Sequence, residues 1–264
     1  MSRFIRFSCG GQPSLWGVLT ADGTVTVLSG PPYLGGQPTG ERHSRADVML
    51  LAPVEPTKVI GIGSNYRAHI EEMGRALPEV PKIFLMPPSA VVGTGAPIVI
   101  PPGTTRVDHE AELGVVIGRR MCRVSRQHAL DHVWGYTAVN DVTARDFQRA
   151  DGVFTRGKGF DSFCPVGPWV ETDLQPCDLR VRAWVDGTLR QDGRTSDLLF
   201  DVPHLLEFVS AVMTLEPGDL ISTGTPSGVG PLSAGQRVRV EVEGVGRLEN
   251  PVCDRDDRER QADA

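Results

Sequence analysis

The chain has 264 residues and a formal net charge of −6, an acidic balance that argues against a nucleic-acid surface. Thirty glycines and 21 prolines against only 6% aromatic residues favour many short strands and turns over a helical bundle. No apolar run reaches membrane-spanning length and no basic, then hydrophobic, leader opens the chain. Five widely spaced cysteines, an odd number, read as free thiols of a cytoplasmic protein without structural zinc.

In chain order, residues 1–55 read as a small N-terminal β-appendage. Residues 3–9, 15–20 and 25–28 have strand composition, and Asp22-Gly23 supplies a tight turn. A loop rich in glycine and proline covers 30–40. Pro53 and Pro56 then lead into 58–63, a buried strand by composition, and the domain boundary is placed near Pro56. Residues 65–73 have helical character and stop at Gly74; the glycine- and proline-flanked loop 74–81 suits a mobile lid. Further helices are expected from Ser125 to Trp134 and from Thr143 to Ala150. The clearest has Asp201 as cap, Pro203 in the first turn, and Leu205, Leu206, Phe208, Val209 and Val212 on one stripe. Strand alternation appears at Val181, Ala183 and Val185 before the turn Asp186-Gly187, and again at Val238, Val240 and Val242. The main unit is therefore expected over 56–253. The charged segment 254–264 has no apolar residue besides alanine and is expected to be a disordered tail.

The stretch Asp108-His109-Glu110-Ala111-Glu112 crowds acids at the start of the β-branched run Leu113-Gly114-Val115-Val116-Ile117. On a strand, Glu110 and Glu112 share a face with Asp108 beside them, and like charges so placed call for a cation or a retained proton. Asp141, at the end of the apolar stretch 134–139, is placed to be a third ligand. Two glutamates and an aspartate with open positions describe an Mg²⁺ or Mn²⁺ site. The alternatives are a pair of surface acids and, for Asp141, a helix cap. His69 and Glu72 stand three apart on the first expected helix, so a carboxylate can orient a histidine base; a chance surface pair is the other reading. Lys158, flanked by Gly157 and Gly159, is a candidate for a substrate carboxylate or an oxyanion, or else a solvated lysine. The segment 223–230 lacks the lysine of a phosphate loop, and its hydroxyls and amides, Thr225 among them, suit substrate contact better than a nucleotide.

Taken together, Gly63-Ser64-Asn65-Tyr66, His69 with Glu72, the block 81–87, the acid strand 108–113, the blocks 140–146 and 158–161, and 223–230 resemble the fumarylacetoacetate hydrolase family over about 57–250. That resemblance implies a β-rich α+β fold, mixed sheets rolled as a sandwich around a central metal site held by Glu110, Glu112 and Asp141. It implies a lid dyad of His69 and Glu72, and substrate contacts from Arg145, Gln148, Lys158 and Thr225. It also implies a homodimer that hydrolyses or decarboxylates a small dicarbonyl or keto acid. The alternatives are an isomerase, tautomerase or cyclase acting on an enolisable metabolite, and a non-catalytic ligand-binding relative. One departure stands out: many active members read Phe, any residue, Lys, Pro where this chain has Phe84-Leu85-Met86-Pro87. The thioether marks either an altered pocket or a core position.

Overall fold

All seven residues from Ala111 to Ile117 are buried, because this strand lies inside a sheet covered on both faces. The computed structural model describes residues 3–11, 14–74 and 76–254. Strands β1 (Arg3–Ser8), β2 (Leu15–Leu19), β3 (Thr24–Leu28), β4 (Pro38–Ser44) and β5 (Met49–Leu51) come first. They are followed by β6 (Val59–Gly63), helix α1 (Arg67–Glu72), β7 (Lys82–Met86), β8 (Val91–Val92), β9 (Ile98–Ile100), β10 (Val107–His109) and β11 (Ala111–Ile117). Next come β12 (Val133–Asn140), β13 (Thr143–Ala144), α2 (Arg145–Asp151), α3 (Thr155–Lys158) and β14 (Cys164–Glu171). The last group is β15 (Arg180–Val185), β16 (Thr188–Arg194), α4 (Val202–Val212), β17 (Leu220–Ser222), β18 (Gly230–Leu232), β19 (Arg237–Val242) and β20 (Gly246–Asp254).

The fold is β-rich with few helices. The largest sheet runs β4-β3-β2-β1-β14-β12-β11-β17-β6-β7, a second runs β16-β15-β19-β20-β9, and a short third is β13-β10-β18. Alternation sorts β11: Ala111, Leu113, Val115 and Ile117 pack toward Val181, Ala183, Val240 and Val242 of the second sheet and toward Leu205, Leu206 and Val209 of α4. Val116 faces the other way, with Val59, Met86, Val139, Cys164 and Leu220. The N-terminal strands carry their own apolar cluster, including Ile5, Phe7, Val25, Val27 and Leu50. They join the large sheet through β1 beside β14, with Arg3 opposite Glu171 and Phe4 opposite Val170.

Several boundaries differ from expectation for local reasons. The helix expected from Ser125 to Trp134 is a short 3-10 segment, Arg126–His132; Trp134 belongs to β12, where its ring meets Phe4 and Tyr33. The helix expected from Thr143 begins at Arg145, because Thr143 and Ala144 pair with β10. The loop expected over 30–40 gives way to β4, an exposed edge strand. Asp254, taken as the start of the tail, ends β20, and 255–264 lie outside the described residues. The cap at Asp201 is present, its Oδ1 accepting from the His204 N–H at 3.0 Å.

Gly61 shows how tightly the site's wall is fitted. A Cβ built there would stand 2.1 Å from the Phe84 ring, and Phe84 cannot swing freely because it stacks on Phe154 at 4.7 Å. Gly61→Ala is expected to cost about 1–3 kcal/mol through overpacking, read as a lowered midpoint in denaturant unfolding. An unchanged midpoint contradicts this account of the wall.

Candidate active site

One register brings the acids together. β10 ends at His109 and β11 begins at Ala111, leaving Glu110 at the break. Antiparallel pairing sets Ala111 opposite Asn140, so the next residue, Asp141, arrives beside Glu110. Two bonds hold that meeting at 2.9 Å each: the Glu110 N–H donates to Asn140 Oδ1, and the Asp141 N–H donates to Glu110 O. Glu112 shares Glu110's face. Ligating oxygens of Glu110, Glu112 and Asp141 lie within 4.8 Å of one another, and all three residues are buried. Neither glutamate is a surface acid. Asp141 is no helix cap either, since α2 starts four residues on, behind Ala144.

Two buried cations answer these charges. Lys158, only 3% exposed, donates from Nζ to Glu110 Oε2 at 2.8 Å and to Asp141 Oδ2 at 2.5 Å, and lies 5.1 Å from the centre of the Phe84 ring. It is therefore not a solvated lysine. Arg145 donates from Nε to Asp108 Oδ2 at 2.8 Å and from Nη2 to Glu110 Oε1 at 2.5 Å, while Nη1 reaches Gln148 Oε1 at 3.3 Å. Asp108 thus stays outside the trio and braces Arg145, also accepting from Arg106. Glu112 Oε2 accepts the Ser222 hydroxyl at 2.5 Å and the Gly224 N–H at 2.7 Å. Asp141 Oδ1 is buried with no hydrogen-bond partner.

Protonation follows from this crowding. Burial raises Glu112 well above the usual carboxylate range, and the charges of Asp141 and Glu110 add to the rise. Burial also lifts Asp141 to about 6, although Lys158 pulls the other way. Glu110 is buried too, but Lys158 and Arg145 outweigh that cost and bring it down to about 2. The trio is a hard, all-oxygen donor set that suits a divalent cation, and the orphaned Asp141 oxygen is a buried acceptor that such an ion would satisfy.

The other expected residues gather at the same place. His69 Nδ1 lies 3.3 Å from Glu72 Oε2, and Glu72 also accepts the Gly228 N–H at 3.1 Å, tying α1 to the loop after β17. Gly228 is required there: its φ is +94°, and a Cβ would stand 2.0 Å from Arg190 O. His69, Arg145, Gln148, Lys158 and Thr225 line one cavity with the acid trio; Glu72 reaches it only through His69. Free space is about 30 Å³, room for little more than a water. Sequence reasoning missed the stacked wall of Phe84 and Phe154, the Ser222 contact, and buried Gln191; an uncharged side chain on a strand carries no signal of its distant partners. Met86 is not part of the cavity wall. It is fully buried against Val59, Val116, Val139 and Cys164, a core position.

Comparison with known proteins places the chain among relatives of one family. A family described as fumarylacetoacetate (FAA) hydrolase C-terminal matches residues 58–253, and one described as Rv2993c-like, N-terminal, matches 2–53. The chain is 43% identical over 225 residues to oxaloacetate tautomerase YisK of Bacillus subtilis, covering 80% of this chain and 75% of that one. It is similar to the crystal structure of 2-hydroxyhepta-2,4-diene-1,7-dioate isomerase from Mycobacterium marinum, with a TM-score of 0.90 at 42% identity over 97% of this chain and 99% of the other. It is also similar to maleylpyruvate hydrolase from Sphingobium sp. SYK-6 in complex with manganese(II) ion and pyruvate. There the TM-score is 0.78 at 32% identity, over 96% and 99% of the two chains.

The raised Asp141 has a measurable sign. Its carboxyl holds a proton up to about pH 6 in the fold against an ordinary value of 3.8. The folded state therefore binds more protons than the unfolded one between those values, and stability falls as pH rises through that window. Asp141→Asn removes the titration. In chelator-treated protein, the stability of Asp141→Asn relative to wild type is expected to rise between pH 4 and pH 7.5, followed by urea unfolding. A pH-independent difference contradicts the burial account.

Proposed function

Because the chain belongs to the fumarylacetoacetate hydrolase family, we propose that it is a divalent-metal enzyme that breaks a carbon–carbon bond in a 2-oxo dicarbonyl acid, by acylpyruvate-type hydrolysis or by decarboxylation. The observation that carries this reading is the buried trio of Glu110, Glu112 and Asp141, with ligating atoms within 4.8 Å, at the floor of a cavity that also holds a histidine and a lysine. The same reading takes 1–55 as an accessory β unit and 56–253 as the catalytic unit, supported by the separate apolar cluster of the first strands.

Glu110, Glu112 and Asp141 would hold the ion. When bound, Mg²⁺ or Mn²⁺ supplies Lewis-acid polarisation of a chelating carboxylate and the carbonyl beside it. The chain's own groups divide the remaining work. His69, with its Nδ1–H directed to Glu72, keeps the Nε2 lone pair to take a proton from water near neutral pH. Lys158 uses two of its three N–H donors on Glu110 and Asp141, which leaves one for an oxyanion on the ligand. Arg145 holds Glu110 in place from the outside, and Gln148 and Thr225 add polar contacts at the cavity wall. Closure of α1, latched through Glu72 to the Gly228 N–H, excludes bulk water from the reacting groups.

A second reading, tautomerisation or isomerisation, is favoured by the 43% identity to a protein named as an oxaloacetate tautomerase. In that case His69 Nε2 shuttles a proton between carbon and oxygen of the ligand, and no bond between carbons breaks. Product analysis separates the two: cleavage releases pyruvate or carbon dioxide, whereas isomerisation releases neither.

Glu110→Ala and Asp141→Ala are expected to lose Mn²⁺ binding in electron paramagnetic resonance titrations and to lose turnover with it; full turnover in metal-stripped protein defeats the proposal. His69→Ala is expected to slow acylpyruvate hydrolysis about 100-fold or more, with a smaller effect on oxaloacetate decarboxylation, which needs no activated water. Equal losses on the two substrates would count against that role for His69.

A further inference from the structure

Gln191 is fully buried on β16, yet it touches both the acid strand and the loop that carries Thr225. The Ala111 N–H donates to Gln191 Oε1 at 2.9 Å, and Gln191 Nε2 donates to Pro226 O at 2.8 Å. These two backbone groups have opposite polarity, so the amide can sit only one way round. The second Nε2 hydrogen then goes to Thr225 Oγ1 at 2.7 Å, and the Thr225 hydroxyl donates its own hydrogen to Ala111 O at 2.9 Å. His109 sets its Nδ1 3.0 Å from the same Oε1; with that oxygen an acceptor, Nδ1 carries the hydrogen. Every donor and acceptor of the carboxamide is committed.

We propose that Gln191 is a positioning residue that locks the Thr225 loop onto the acid strand and so fixes Thr225 relative to Glu110 and Glu112. Thr225 lines the cavity and Gln191 does not, so Gln191 acts on a ligand through Thr225. Ala111, whose N–H and carbonyl both enter the network, lies between the two glutamates in the chain. A displacement of the loop therefore shifts the polar wall against the acids without dismantling the acid strand, which β12 and β17 hold independently. The inference rests on the reading of this site as a metal centre for a 2-oxo acid.

The test separates metal binding from ligand binding, using Mn²⁺ and then oxalate on the Mn²⁺-loaded protein, each followed by calorimetric titration. Gln191→Met is expected to bind Mn²⁺ within about threefold of wild type and to weaken oxalate at least about tenfold. Thr225→Val is expected to weaken oxalate comparably, and the double variant to be no worse than the stronger single one, since both act at one contact. Oxalate affinity within twofold of wild type in Gln191→Met overturns the inference. So does a strictly additive double variant, or a parallel loss of Mn²⁺ and oxalate, which a merely structural residue would produce. If Gln191→Met does not fold, Gln191→Glu, which keeps both acceptor contacts and removes the two amide donors, is read by the same criteria. Failure of the wild-type chain to bind Mn²⁺ overturns the metal reading and this inference together; wild-type binding with unaffected variants overturns this inference alone.

Discussion

Burying several carboxylates side by side is the constraint to which the rest of the site answers. Asp108, Glu110, Glu112 and Asp141 are all nearly inaccessible, and against these four stand two buried cations, Arg145 and Lys158. Like charges about 5 Å apart cost roughly 3 kcal/mol per pair at an effective dielectric of about 20, far more than a surface pair returns. The excess negative charge is met in two ways within one small volume, and one acceptor is left over. Arg145 and Lys158 keep Glu110 ionised, burial and its neighbours push Glu112 toward its protonated form, and Asp141 keeps one oxygen with no partner. Such an arrangement is costly as pure structure. It becomes economical when a hard cation can replace the protons.

The sheet makes this concentration possible. Because β11 is inside a sheet covered on both faces, its odd-numbered residues commit to one apolar layer and its even-numbered residues to the other. Glu110 and Glu112 continue the even-numbered row beyond Val116, where the apolar layer gives way to the cavity. A slip of one residue between β11 and β12 would turn every side chain to the wrong face. The glutamates would then enter the layer formed by Leu113, Val115 and α4, and Asp141 would no longer meet Glu110. Fold and acid trio therefore depend on the same register, with Ala111 opposite Asn140.

What the residues disclose unaided follows from the range of the interaction involved. Strands with period-two apolar patterns, such as Val238, Val240 and Val242, and the capped helix after Asp201 depend on neighbours in sequence, and both stand where the pattern put them. The acids, His69 with Glu72, and Lys158 were legible because charged residues in apolar or glycine-rich surroundings need a reason. β4 was not, since an exposed edge strand has little apolar alternation to read. The 3-10 turn at 126–132 was read as a longer helix because Trp134 is apolar in either setting, and only the strand Val133–Asn140 and its tilted and edge-on ring contacts with Phe4 and Tyr33 place it in the sheet. Gln191 was invisible because its meaning lies in partners 80 and 34 positions away. Asp108 was grouped with the glutamates by spacing, and only the fork of Arg145 shows it to be a brace.

Met86 is fully buried. It lies two residues beyond Phe84 on β7 and shares its face, but Phe84 reaches the cavity whereas Met86 lies deeper, among Val59, Val116, Val139 and Cys164. That layer is electrically close to the acids: burial raises the Cys164 thiol first, and Asp141 and Glu112 raise it further. A lysine at position 86 would bring an ammonium into this layer at a large desolvation cost, recovered only by pairing with a buried acid. The thioether avoids that cost and withholds that charge. Met86 therefore belongs to the apolar layer and not to the cavity wall. With no ammonium at position 86, Lys158 is the buried amine that meets both Glu110 and Asp141 among the described residues.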